Sequence, residues 1–253
     1  MTSVTGHLAR TGLLAVGTLA AALATPVAAQ ARPAVIELFT SQGCSSCPPA
    51  DALLNTLADR DDVIALTYNI TYWDYLGWRD TLGREEHTAR QEAYAQHFRD
   101  RKYTPQLVID GESHLPGSRT KAATRAIDTQ IEKVSTAPAL ATVLSATGAT
   151  ITHSATSNTA KTANVWMVQY DTAHEVEITR GENAGETITY SNVVRDITLL
   201  HTWDMTQPLS LDVARDSLTK GNHDGCAIII QQDTKYGVGP VIAAARLDMD
   251  LLN

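Results

Sequence analysis

The sequence predicts an α/β N-terminal domain followed by a mostly antiparallel, β-rich, sandwich-like C-terminal domain. Three observations carry that expectation. Cys44-Ser45-Ser46-Cys47-Pro48-Pro49 stands between an apolar run of strand length and a helical pattern. Across residues 32–136 the apolar segments fall in the order β-α-β-α-β-β-α. Near Ser135-Thr136-Ala137-Pro138 the period changes, and short β-branched runs separated by Gly, Asn, Asp or Pro take over. The expected domains are therefore 32–136 and 139–253.

Each element has its own justification. Residues 35–39 form a buried strand, and Ala50, Leu53, Leu54, Leu57 and Ala58 mark one helical face. Residues 63–68 are a second strand. Residues 84–99 lack a strong breaker and read as a helix with Ala89, Ala93 and Phe98 inward. Leu107-Val108-Ile109 runs into Asp110-Gly111, a hairpin signal, and then 112–115. A helix over about 120–134 turns Ala123, Ile127 and Ile131 to one side. Beyond it, 164–170, 176–179, 187–190, 196–200, 209–213, 227–231 and 241–247 read as short strands of an antiparallel sandwich.

The chemistry concentrates at the CxxC. A helix N-terminus presents unpaired N–H groups and partial positive charge, which favour an ionised sulfur. A second cysteine one turn away can close the resolving disulfide. A C-x-x-C near a βαβ pattern reads as a thioredoxin-like redox motif, so the first domain is expected to be thioredoxin-like. Cys44 is the expected nucleophile and Cys47 the resolving thiol. Half of a zinc site and a structural clip share the spacing. Zinc needs four ligands, however, and the remaining cysteine, Cys226, brings no second CxxC, while no histidine pair has ligand spacing. No metal and no cofactor are expected, and Cys226 reads as a core thiol.

Thr104-Pro105 falls where such a fold places a cis-proline opposite the CxxC, with the preceding backbone free to pair with a substrate peptide. Glu37 interrupts the first strand and is expected beneath the active site, where burial would raise its pKa and let it carry protons for the thiols. Tyr72, Trp73, Tyr75 and Trp78 follow the second strand at the end of the sheet that bears the CxxC. They are expected either to rim a substrate site or to cap the loop.

The chain carries a net charge of −8, which argues against nucleic acid and anionic membrane as partners. Residues 1–29 read as a signal peptide: His7 and Arg10 open it, 13–24 is apolar, and Val27-Ala28-Ala29 offers a cleavage site. The apolar part is shorter than the roughly 20 residues a membrane span needs. A periplasmic or secreted location is expected, with no membrane attachment after cleavage. In such a compartment a Cys44–Cys47 disulfide persists unless something reduces it.

The run Glu37-Leu38-Phe39-Thr40-Ser41-Gln42-Gly43-Cys44-Ser45-Ser46-Cys47-Pro48-Pro49-Ala50-Asp51 resembles the opening of an uncharacterised secreted thioredoxin-like family, a domain of unknown function. The likeness continues through Tyr72-Trp73-Asp74-Tyr75-Leu76-Gly77-Trp78 and Tyr103-Thr104-Pro105-Gln106. It returns at Arg180-Gly181-Glu182-Asn183-Ala184-Gly185 and Tyr190-Ser191-Asn192-Val193-Val194-Arg195. The resemblance implies a thioredoxin fold with a β-rich second domain, and marks Cys44, Cys47 and Pro105 as its site. Where it implies a histidine and an aspartate before the Tyr-Trp-Asp element, this chain has Asn69 and Thr71. The 180–185 segment reads as a hairpin turn or as a loop docked near the site.

The leading expectation is an exported, monomeric thiol–disulfide oxidoreductase acting on protein or small-molecule thiols, served by a redox partner protein. Two readings of other classes stand beside it. One is a Cu(I) chaperone using the CxxC thiolates. The other is a non-catalytic binding module whose disulfide only clips a loop.

Overall fold

The computed structural model describes Met1, Thr2 and residues 31–157 and 161–252. Beyond Met1 and Thr2, the expected signal peptide lies outside the described residues. Among the described residues no helix is long and apolar enough to cross a membrane.

The first half follows the predicted order: β1 (Ala34–Thr40), α1 (Pro48–Ala58), β2 (Val63–Asn69), α2 (Glu85–Phe98), β3 (Gln106–Ile109), β4 (Ser113–Pro116) and α3 (Thr120–Val134). β1 pairs in parallel with β2 and antiparallel with β3, which turns back into β4. Every residue of β1 and β2 is buried, as near-continuous apolar runs require when both faces of a sheet are covered. Ile36 and Leu38 pack against Leu54 and Leu57 of α1 and Ile127 of α3. Val35 and Phe39 face the other way, toward Tyr94 of α2. α2 itself departs from expectation. It buries His87, Thr88, Gln91, Tyr94 and Ala95, while Ala89 is exposed. Ala93 and Phe98 do pack against the core as expected, but the fully buried stripe is largely polar because it bonds to loop carbonyls and side chains, and only Ala89 of the predicted face turns outward.

The second half comprises β5 (Ala141–Ser145), β6 (Gly148–His153), β7 (Thr162–Glu177), β8 (Thr187–Asp204), β9 (Leu209–Ala214), the short α4 (Arg215–Leu218), β10 (Gly225–Gln232) and β11 (Val241–Leu247). Two long strands, β7 and β8, absorb four of the short runs read from the sequence, and register shifts near Val165 and Gln169 bend β7 along its length. The sheet order is β11-β10-β7-β8-β2-β1-β3-β4, so one mixed eight-stranded sheet runs through both halves of the chain. β5, β6 and β9 form a separate three-stranded sheet. Its Ile151, Leu209 and Val213 pack on Val165, Ile228 and Ile230 of the large sheet, a local two-layer sandwich.

Two joints are among the contacts that hold the halves together. At the first, Val193 of β8 bridges Thr67 of β2, the Thr67 hydroxyl donates to the Ser191 carbonyl at 2.7 Å, and Asn192 donates to the Ala65 carbonyl at 2.9 Å. Asn192 sits at φ 48, a left-handed conformation that Asn tolerates better than most residues. At the second, the buried Arg32 forks onto both oxygens of Asp110 at 3.1 and 3.0 Å and donates to the Val241 carbonyl at 3.2 Å, while the Val241 N–H donates to the Asp110 carbonyl at 2.8 Å. A Cβ on Gly111 would lie 2.0 Å from the Gly239 carbonyl oxygen, so this turn accepts only glycine.

Candidate active site

β1 ends at Thr40, and the chain turns through Ser41-Gln42-Gly43 into the CxxC, with α1 beginning at Pro48. Prolines at the first two helical positions cost no hydrogen bond, because those N–H groups have no partner in a helix anyway. Cys44 and Cys47 are joined by a disulfide with Cα atoms 5.4 Å apart. Cys47 is fully buried, whereas Cys44 keeps 5 % of its surface. Ser45 and Ser46 between them are exposed.

The peptide bond between Thr104 and Pro105 is cis, and it faces these sulfurs. The Thr104 hydroxyl donates to Cys44 Sγ at 3.2 Å and itself accepts from Trp73 Nε1 at 2.7 Å. An indole N–H can only donate. The Thr104 oxygen therefore spends acceptor capacity on Trp73 and aims its single proton at the sulfur. The Ser46 hydroxyl lies 3.5 Å from both Cys44 Sγ and the Thr104 carbonyl oxygen.

The four aromatic residues expected around the site divide. Trp73 reaches it through Thr104, and Tyr72 lies beside Trp73 with ring centroids 5.6 Å apart. Tyr75 is 75 % exposed. Trp78 turns inward and donates to Gln42 Oε1 at 2.8 Å, bracing the approach to the CxxC from outside.

Glu37 is not brought to the sulfurs. Strand alternation puts it on the α2 side of β1, where its buried carboxylate accepts from Arg90 Nε at 2.6 Å and from the Tyr94 hydroxyl. The carboxyl on the CxxC side is Asp51, one helical turn beyond Cys47, and residues so spaced have Cβ atoms about 6 Å apart. Asp51 is buried; one oxygen accepts from the Thr40 hydroxyl at 2.6 Å and the other has no partner. Burial pushes its pKa up to about 8, against the Thr40 hydrogen bond, and nearby Asp80 adds to the rise. An acid in a first helical turn is ordinarily a solvated dipole partner, which is why the sequence alone did not single it out.

A deeper set of polar residues backs the loop. Asp80, also raised chiefly by burial, accepts from the Gln42 N–H at 2.8 Å, Asn69 Nδ2 at 3.1 Å and the Leu82 N–H at 2.9 Å. His87 Nδ1 donates to the Asn69 carbonyl at 2.9 Å, and desolvation lowers its pKa to about 4, so the ring is neutral.

The 180–185 segment docks on the CxxC. Asn183 donates to the carbonyls of Gln42 at 2.9 Å and Cys44 at 3.0 Å, and Glu182 accepts from the Ser45 N–H at 3.3 Å. Gly181, at φ 81, passes close to Trp78, and a Cβ there would come 3.1 Å from Trp78 Cβ. The second half of the chain thus completes the site built by the first. Cys226 stands apart, free and wholly buried, with burial pushing its thiol up to about 12.

Fold and site together define a class: a mixed α/β chain in which a disulfide-bridged CxxC opens a helix at the end of a parallel strand. The chain belongs to the family described as "Protein of unknown function (DUF1223)", whose model matches residues 35–231. It is similar to the crystal structure of protein AGR_C_4864 from Agrobacterium tumefaciens, at 28 % identity and TM-score 0.74, covering 88 % of this chain and 96 % of that one. HBP35 of Porphyromonas gingivalis shares the fold more distantly, at 15 % identity and TM-score 0.55, over 87 % of this chain and 76 % of that one. No curated protein matches the sequence.

Proposed function

We propose that the protein is an exported, thioredoxin-like thiol–disulfide oxidoreductase that acts on protein or small-molecule thiols in a periplasmic or extracellular compartment. The observation that carries this reading is the Thr104 hydroxyl hydrogen bond to Cys44 Sγ beside the cis Thr104–Pro105 bond. A structural clip has no use for a donor aimed at its sulfur, whereas a leaving or attacking thiolate is stabilised by one.

In the oxidised protein a substrate thiolate attacks Cys44 Sγ. The Cys44–Cys47 bond breaks, a mixed disulfide forms on Cys44, and Cys47 departs as thiolate. Asp51 supplies the proton that Cys47 takes up. A second substrate thiolate then attacks the substrate sulfur and releases Cys44. Two thiols become one disulfide and the protein becomes a dithiol, which a redox partner protein reoxidises. Run backward, the same steps reduce a substrate disulfide, with Asp51 accepting the Cys47 proton. The main chain of Thr104 lies outside any strand, and its carbonyl meets only the Ser46 hydroxyl at 3.5 Å among the described residues, a contact an extended peptide can displace.

The test is the equilibrium between disulfide and dithiol in glutathione buffers, read by thiol trapping and mass shift. A midpoint above about −270 mV, lost in Cys44→Ser, supports exchange chemistry. A midpoint below about −300 mV with slow exchange marks a structural disulfide and rejects the proposal.

A further inference from the structure

A groove of about 640 Å³ is lined by Ser46 and Thr104, whose hydroxyls lie against Cys44 Sγ, and by Pro105, Tyr103, His114 and Leu115. Its rim carries Arg101 and Arg119, both exposed. Neither guanidinium forms an ion pair among the described residues, whereas Arg60, Arg90 and Lys102 each do. The charges facing the groove are these two, Asp100 and His114. Asp100 is already occupied: one oxygen accepts from the Arg101 N–H at 2.7 Å and the other lies 3.7 Å from His114 Nε2. A chain of net charge −8 therefore places two arginines without an ion pair on the rim of the groove that reaches its disulfide through Ser46 and Thr104.

We infer that this groove selects a cysteine-bearing protein segment with carboxylates beside the cysteine. The inference rests on the exchange reading above and names its substrate class. Guanidinium groups on a rim attract carboxylates from a distance and can grip them in a two-pronged contact. The main-chain groups of Thr104 take an extended peptide, with its sulfur at Cys44 and its flanking acids at Arg101 and Arg119. An acidic surface elsewhere repels such a segment and so concentrates its encounters here. Glu182, on the far side of the CxxC near the Ser45 N–H, disfavours an acid there and sets the direction in which the segment lies.

The experiment measures reduction of the oxidised mature protein by three peptides that differ only beside the cysteine, carrying Glu, Gln or Lys. Glutathione and dithiothreitol are run alongside. The Glu peptide should react about 10-fold faster than the Lys peptide at roughly 20 mM salt, and the gap should shrink severalfold at about 0.5 M, where screening shortens to a few ångströms. In the double variant Arg101→Gln, Arg119→Gln the Glu peptide should slow and the Lys peptide should speed up. A merely structural role for the arginines would slow both. Equal rates for Glu and Lys peptides, or a preference that survives in the double variant, overturn the inference. Glutathione reacting faster than the Glu peptide also overturns it, in favour of a small-molecule substrate. Failure of dithiothreitol to reduce the wild-type disulfide is a different result, because it rejects the exchange reading itself.

Discussion

Asp51→Asn is the perturbation that separates stability from chemistry most sharply. The side chain is buried, and its pKa rises from an ordinary 3.8 to about 8. The native protein therefore holds a proton that the unfolded chain releases between about pH 4 and pH 8. Over that window the unfolded state binds fewer protons, so stability falls as pH rises. At about 1.36 kcal/mol per pKa unit, the loss by pH 8 has a ceiling of about 5–6 kcal/mol. Relaxation around the charge brings it nearer about 3 kcal/mol, since buried sites behave as if more polarisable than a dry interior. Asparagine keeps the shape and the acceptor for Thr40 but cannot ionise. The variant should be more stable than wild type by about 3 kcal/mol at pH 8, and the two should converge near pH 4. His87, neutral when buried, loses stability in the opposite direction as pH falls below about 6.5, and it cancels in the difference between the two proteins. Chemical denaturation at pH 4.5, 6 and 8 reads the effect. The same substitution should slow thiol exchange by about 10²-fold at neutral pH, because Cys47 loses its proton source. Parallel stability curves, or a variant weaker than wild type at pH 8, would refute the argument.

Three further outcomes are expected. Thr104→Val removes the donor to Cys44, and the thiolate pKa of the reduced protein should rise by about 1–2 units, since a hydrogen bond to a charged group is worth about 1.5–3 kcal/mol. Trp73→Phe should give a smaller rise that vanishes in the Thr104→Val background, as read from the pH dependence of alkylation. Asn183→Ala removes the side-chain donor to the Gln42 and Cys44 carbonyls, leaving the Cys44 carbonyl only the Cys47 N–H, and should cost about 2–3 kcal/mol, with faster amide exchange at Gly43 and Cys44 in its native-state hydrogen-exchange profile. Glu37→Gln leaves Arg90 buried without a countercharge and should cost about 3–5 kcal/mol in urea unfolding while leaving the redox midpoint in place. Unchanged stability with slowed exchange would instead restore Glu37 as the proton carrier.

Local chemistry decided much of this molecule. The apolar run into Cys44, the paired prolines behind Cys47 and the Asp110-Gly111 turn each answer to nearest-neighbour sterics and periodicity, and so the β-α-β-α-β-β-α order could be read directly. The Thr104-Pro105 pair declared itself by position. What the sequence could not reveal were partnerships across long separations. Asp51 looks like any acid opening a helix until packing strips its water. Glu37 has the right composition for proton transfer but the wrong face, because a strand alternates sides at every residue and Arg90 waits on the other one. Asn183 reads as turn polarity until the β7–β8 hairpin folds back over the CxxC. The short β-branched runs that became β7 and β8 carry weak signals separately and join because each pairs along its length with the other, β10 and β2 closing the two outer edges. Strand and helix identity are settled within a few residues; burial, facing and pairing depend on what the rest of the chain brings alongside, and there the candidate site was made.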